Sequence, residues 1–289
     1  MSMVEIGISG WTYKGWKGTF YPEKLPARDE LSFASRELPT IEINGTFYSL
    51  QRPSSYQHWY DLTPKGFVFS VKANRYITHI KRLNDVAVPV ANFIASGPLA
   101  LKEKLGPFLW QFPPSMTFDP ERFEKFLKLL PKNFKEASKL AQNSDLPGER
   151  IYIDEKLNLP IRHAVEIRHE SFLNPWFVDL LREHNVAIVF ADTAGKWPYL
   201  EDITSDFIYV RLHGDSELYV SGYDKRSLDF WGERVKTWKQ GLEAKDKLTI
   251  TDESPPVKER DVFVYFDNDA KVRAPVDAKS LINRIKENS

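Results

Sequence analysis

The chain contains no cysteine. Disulfides, thiolate nucleophiles and zinc–thiolate centres are therefore excluded. It also lacks net charge, because 40 lysines and arginines balance 40 aspartates and glutamates. A broad electrostatic grip on nucleic acid is not indicated, although a local basic patch is compatible with that balance. No apolar run approaches the length of a membrane span. The first residues, MSMVEIGISG, enter a strand pattern without the basic-then-apolar signature of a secretory signal. The expectation is a cytoplasmic protein with no membrane partner. A Gly-rich dinucleotide turn is missing as well, since GISGWTYKGWKG is too aromatic and misspaced. No cofactor is expected.

What is present is a regular alternation. The 289 residues are 42% hydrophobic, enough for a sizeable core, and the length suits either two domains or one α/β barrel. Short apolar runs read as strands at 5–9, 40–44, 67–72, 107–112, 163–168, 186–192, 207–213 and 261–268. Helical patterns fit between most of them. DPERFEKFLKLL places Asp119 as N-cap and Pro120 at the first helical position, and NPWFVDLLREHN repeats this with Asn174 and Pro175. SLDFWGERVKTWKQGL and DAKSLINRIKEN supply two later helices. The sixth connection, TAGKWPYLEDITSD, has little helical periodicity.

Strand–helix repeats imply right-handed parallel crossovers, and eight of them close a TIM barrel. The expected fold is thus a single α/β domain over 1–289, a (β/α)8 barrel with its sixth helix short or missing. The polar stretches near 131–160 and 241–260 read as surface insertions. A doubly wound open sheet is the alternative.

Strand side chains alternate between two faces, so outward apolar residues set the phase. That phase sends Glu42, Asn44, Lys72, Gln111, Glu166, Arg168, Asp192, Arg211 and His213 into the lumen, near the strands' C-terminal ends. At the eighth strand either Asp267 or Asn268 points inward. Barrel enzymes place their sites at this face. The bland alternative is a polar plug of salt bridges. A whole ring of buried charge is a poor route to stability, which favours a site.

Seven motifs in order, SGWTYKGWKGTFYP, IEINGTFY, FSVKANRYITH, LWQFPPS, VEIRHESF, YVRLHG and YFDND, resemble the YecE-like family. This bacterial and archaeal family is named as a domain of unknown function. The resemblance implies a TIM barrel, distantly akin to xylose isomerase-like and endonuclease IV-like barrels. It implies no reaction.

Converging Arg168 and Arg211 suit a carboxylate or phosphate, so a small anionic ligand is expected, with Lys72, Glu42, Asn44, Gln111, Asp267 and Asn268 around it. Glu166 or Asp192 would act as general base and His213 as general acid or base. A metal-dependent phosphodiesterase or isomerase would use Glu42, Glu166, Asp192 and His213 as ligands, but the arginines oppose a cation and no histidine cluster exists, so no metal is expected. A glycosidase would pair Glu42 with Glu166. A non-catalytic module for nucleotide or single-stranded nucleic acid is a further class, with Trp11 and Tyr13 stacking on a base or sugar.

Overall fold

The computed structural model describes residues 2–287 apart from Ser254. Eight strands pair in sequence order, all parallel, and close into a barrel. They are β1 Val4–Ser9, β2 Thr40–Ile43, β3 Val68–Lys72, β4 Leu105–Gln111, β5 His163–Glu166, β6 Ala187–Asp192, β7 Phe207–Leu212 and β8 Asp261–Phe266. Each expected strand is present with its ends shifted by at most two residues; β1 and β4 begin earlier than expected, and most of the others end earlier.

The helices are α1 Glu30–Glu37, the short α2 Gly45–Tyr48, α3 Pro53–Leu62, α4 Ala87–Ala95, α5 Pro120–Leu129, α6 Phe134–Ala141, α7 Pro175–His184, α8 Lys225–Lys239 and α9 Arg273–Glu287. Asp119 caps α5 by accepting from the Arg122 amide at 3.1 Å, and Asn174 caps α7 by accepting from Trp176 at 2.9 Å. Buried Phe123 and Phe126 of α5 and Phe177 of α7 meet Phe112 and Phe172 in one aromatic cluster. Edge-to-face contacts of this kind fix the two helices against the barrel wall.

No helix joins β6 to β7. The 193–206 connection instead buries Leu200 and Ile203, and its Asp202 accepts from the amides of Ile250 and Thr251. The polar 241–260 stretch therefore lies against the place where a sixth helix would sit. The 131–160 stretch contains α6, whose Phe134, Ala137 and Ala141 are fully buried.

The barrel is filled in layers. Leu109, Ala164, Ala187, Val189, Ala191, Phe207, Tyr209, Phe263 and Tyr265 form the inner cluster. Gly7 is required here, because a Cβ at that position would lie 1.9 Å from the Thr40 carbonyl oxygen. Above the aromatic layer come hydroxyls. Thr40 pairs with the Tyr265 phenol at 2.8 Å, and Ser70 with the Tyr209 phenol at 2.7 Å. Charge begins one step higher.

Candidate functional site at the barrel mouth

The upper layer is organised by Arg211, which is completely buried. Its Nε and Nη2 donate to the two Glu42 oxygens at 3.1 and 2.8 Å. Its Nη1 donates to Glu166 at 2.7 Å, and Nη2 also reaches Asp267 at 2.8 Å. One guanidinium thus binds three carboxylates. Glu42 is further held by the Ser9 hydroxyl at 2.9 Å and the Tyr209 phenol at 2.6 Å. Strand register explains the convergence. Ser9 lies beside Glu42, Gln111 beside Glu166, and Arg211 beside Tyr265.

Burial alone would raise the Glu166 carboxyl. The Arg211 and Arg168 guanidiniums, together with His213, overcome that and hold it well below the usual range. Asp267 is lowered in the same way, against its burial, chiefly by Arg211. Asp269, two residues further on, has the opposite fate. Burial and then the Asp267 charge push it up to about 8.

His213 is also fully buried. Its Nε2 lies 3.4 Å from Arg211 Nη1, and its Nδ1 lies 3.0 Å from Asp267 Oδ2. A guanidinium only donates, so Nε2 accepts and Nδ1 carries the ring proton toward Asp267. The Nδ1 approach to Asp267 is close but lacks the alignment of a directed hydrogen bond. Tyr219 covers the ring edge-on at 5.3 Å. After His213, Gly214 takes φ of +131°, and a Cβ there would lie 2.4 Å from the Glu217 carbonyl oxygen. The close approach at this glycine is to its own loop.

Arg168 stands at the rim. Its Nε donates to Glu166 at 2.9 Å and its Nη2 to the Tyr219 phenol at 3.1 Å. Its guanidinium lies 3.8 Å from the Trp197 ring centroid, a cation–π contact. Gln111 completes Glu166 by donating at 2.8 Å.

Lys72 enters from the other side. It is 8% exposed, yet its ammonium makes no hydrogen bond or ion pair with any described residue. It sits 4.5 Å from the Phe47 ring centroid. Burial and then Arg211 lower its pKa to about 8, against the pull of Asp267, Glu42 and Glu166. Its backbone is held rigidly. Its carbonyl accepts from the Thr46 hydroxyl at 2.6 Å, and the next amide bonds Leu109 at 2.8 Å. Directly after it runs a single π-helical turn, Tyr76–Ile80. Such turns recur at functional sites. This one brings His79 edge-on to Phe47 at 4.9 Å. Burial first, then Lys72 and Arg168, lower His79 to about 4, so it is neutral near pH 7.

The inward phase holds for Glu42, Lys72, Gln111, Glu166, Arg168, Arg211 and His213, and it selects Asp267 at β8. Asn268 is turned outward, donating to Asp277 at 2.8 Å and to the Ser221 carbonyl at 3.0 Å. Asp192 corrects the expected phase of β6. Ala187, Val189 and Ala191 face the lumen, while Ile188 and Phe190 face the helices with Asp192 in their phase. Asp192 accepts from the Tyr223 phenol at 2.9 Å. Asn44 and Trp11 line a 280 Å³ groove beside the mouth, with Tyr13 and Trp59. Tyr13 spends its face on Trp16, with ring centroids 4.4 Å apart. His79, Trp197 and Tyr219 were not singled out as site residues by sequence reasoning. They reach the mouth from loops, where strand phase gives no signal.

Hollows of greater volume lie elsewhere, and two of them are informative. One of 460 Å³ opens at the barrel base between α1 and α9, and one of 410 Å³ lies between residues 83–87 and α5. Neither meets the strands' C-terminal ends. Among the described residues, no group of three or more His, Asp or Glu side chains is arranged to hold a metal. No helix among them is long and apolar enough to cross a membrane.

A closed parallel barrel with its charge gathered at one mouth places the chain among the TIM-barrel proteins. More narrowly, it belongs to the DUF72 family, since the family model described as a protein of unknown function DUF72 matches residues 5–289. A DUF72 family protein from Thermotoga maritima shares the fold with a TM-score of 0.74, 25% identity, and coverage of 98% of this chain and 99% of that one. A second, from Enterococcus faecalis, superposes with a TM-score of 0.70 at 18% identity, covering 98% and 96% of the two chains. The curated relative YunF of Bacillus subtilis, a UPF0759 protein, is 30% identical over 118 residues. That match spans 39% of this chain and 40% of the relative.

Proposed function

We propose that the barrel mouth binds a small phosphate- or carboxylate-bearing ligand, with Lys72 and Arg168 as its cationic contacts. The observation that carries this is Lys72, 8% exposed at the C-terminal face, whose ammonium has no carboxylate paired to it. An uncompensated buried cation is expensive, and an incoming anion relieves that cost. Arg211 was the expected anchor for the anion, but its donors are committed to Glu42, Glu166 and Asp267. In this reading Arg211 holds the floor, and the ligand sits above it. Arg168, stacked on Trp197, is held ready for one oxygen. Glu166 is too acidic to be an effective base, and His79 at about 4 is too weak a base as well, so proton transfer falls to Lys72.

A metal-dependent reaction is the weaker reading, because the carboxylates such a site needs surround Arg211. A nucleotide-binding role has one specific support. The groove beside the mouth is lined by Trp11 and Trp59, and the Asn44 Oδ1 is buried there without a hydrogen-bond partner. The test is calorimetric titration with inorganic phosphate and small phosphate esters. Binding should occur in the wild type and weaken by about 2 kcal/mol or more in Lys72→Met. Binding of equal strength in both proteins would remove the proposal. A steep fall in affinity for oligonucleotides with salt, without phosphate binding, would favour the nucleic-acid reading.

A further inference from the structure

Two lysines are buried among the described residues, Lys72 at 8% and Lys104 at 5% exposure. They are treated very differently. Lys104 donates to the Tyr60 carbonyl at 2.6 Å, the Thr63 carbonyl at 2.7 Å and the Thr63 hydroxyl at 3.1 Å. It closes the C-terminus of α3, and all three ammonium hydrogens are used. The other buried cations follow the same rule. Arg234 bonds Glu201 and Asp246, and Arg260 bonds the carbonyls of Gly241 and Pro256. Lys72 alone has only the face of an aromatic ring, Phe47, at 4.5 Å. A cation–π contact offsets only part of what an ammonium loses on leaving water.

Such an environment favours the neutral amine. It is also aimed. The Lys72 side chain projects from the C-terminal end of a strand whose backbone is bonded on both sides. A rigid origin, an apolar ring alongside and no competing hydrogen bond are what an amine nucleophile requires.

We propose that Lys72 is a covalent amine nucleophile, forming an imine with a small aldehyde or ketone that carries a phosphate or carboxylate. This rests on the reading that the mouth binds a small anion. The amine lone pair attacks the carbonyl carbon, forming the C–N bond while the carbonyl π pair moves to oxygen. One proton passes from nitrogen to that oxygen, giving the carbinolamine. A second proton reaches the same oxygen, the C–O bond breaks, and water leaves. The net change is a lysine ammonium plus a carbonyl giving a protonated imine plus water, with no oxidant, reductant or cofactor. His79, at about 4, is too weak a base to carry these protons, so they pass between the Lys72 nitrogen and the departing oxygen through solvent. The anionic end of the substrate is held by Arg168, whose orientation Trp197 and Tyr219 fix. The protonated imine carries the same single positive charge as the ammonium it replaces, so the carboxylates around Arg211 that act on Lys72 also act on it.

A pKa of about 8 supports the same assignment, because a tenth or so of the amine is then neutral at pH 7. A surface lysine at its ordinary value has about 300-fold less. The lower basicity reduces intrinsic nucleophilicity in part, so preferential reaction of about tenfold or more over surface lysines is expected.

The test is reductive trapping. The full chain is incubated with pyruvate, glyoxylate or dihydroxyacetone phosphate and sodium cyanoborohydride, then peptide-mapped by mass spectrometry. The expected result is a single dominant adduct on Lys72, absent in Lys72→Arg. The arginine variant keeps the charge, and its phosphate binding and thermal melt are measured in parallel. The oxo acids against the phosphorylated ketone distinguish which anion the mouth takes. Phosphate binding retained with no adduct on Lys72 would overturn the nucleophile and leave the anion site standing. Adducts spread evenly over surface lysines, undiminished in Lys72→Arg, would overturn it too. Loss of phosphate binding in the wild type, with the Lys72 adduct present, would remove the anion reading but retain the amine.

Discussion

Two sides of one barrel mouth hold a cation each. On the β7 and β8 side, Arg211 meets Glu42, Glu166 and Asp267, with every carboxylate bonded again by Ser9, Tyr209, Gln111, Arg168 or His213. On the β3 side, Lys72 meets an aromatic ring that a neutral histidine also packs against. Burial is similar and the consequence differs. A guanidinium has a fork that several carboxylates can share, and it never loses its proton. An ammonium is a compact charge whose pKa moves readily when buried. The first side is built as a floor, and the second is left open to chemistry.

Substituting the two cations by methionine should break or sharpen this contrast most. Arg211→Met leaves three carboxylates crowded and unpaired, and removing one partner of a buried ion pair costs about 3–5 kcal/mol. A large loss of stability in urea unfolding is expected. Lys72→Met removes an uncompensated charge and places an apolar chain on Phe47, so stability should stay level or rise by about 1 kcal/mol. A folded Arg211→Met protein of near-normal stability would erase the distinction between floor and site.

Acid and base should act on different parts of the floor. Glu166 and Asp267 are held down, against their burial, chiefly by Arg211. A depressed folded pKa contributes stability that is complete above the unfolded value of about 4 and lost as pH falls below it. Asp269 has the reverse sign. Its folded value is raised to about 8, so its contribution is complete below the unfolded pKa and lost as pH rises toward 8. Glu5, deep in β1, is raised to about 7 by burial and then by Asp261, and adds to the same decline. The melting temperature should therefore fall between about pH 5 and pH 8. Asp269→Asn should flatten part of that fall and leave the acid limb intact. Identical profiles for the two proteins would assign the decline to other groups.

The legible and illegible parts of this molecule separate along physical lines. Eight strands and the missing sixth helix were readable because apolar runs, caps and periodicity are local. The inward phase was readable wherever one face was polar, as in Glu42, Ser70 and Arg211. It failed at β6, where Ala187, Val189 and Ala191 are as apolar as Ile188 and Phe190 on the opposite face. A strand buried on both faces carries no alternation from which to read its phase. The roles of Arg211 and Lys72 were equally hidden. Both are cations near a strand end, and which one is saturated depends on partners 45 to 169 positions away. Trp197 and Tyr219, which hold Arg168, come from loops beyond β6 and β7.

The smallest expected effect tests that β6 correction. Asp192 was expected in the mouth as a general base, and its side chain instead accepts from the Tyr223 phenol at 2.9 Å and the Ala194 amide at 3.3 Å. Burial raises its pKa despite those bonds. An asparagine has nearly the same shape and no charge to desolvate, and its carboxamide oxygen still accepts from one donor. The lost hydrogen bond and the relieved desolvation oppose each other, each about 1 kcal/mol. Asp192→Asn should therefore change unfolding stability by less than about 1 kcal/mol. Phosphate affinity should be unchanged, because the side chain lies on the helix-facing side of the strand. An affinity loss of about tenfold, or 1.4 kcal/mol, at unaltered stability would be a different outcome. It would return Asp192 to the site and require the 213–224 loop, which Tyr223 ties to it, to take part in binding.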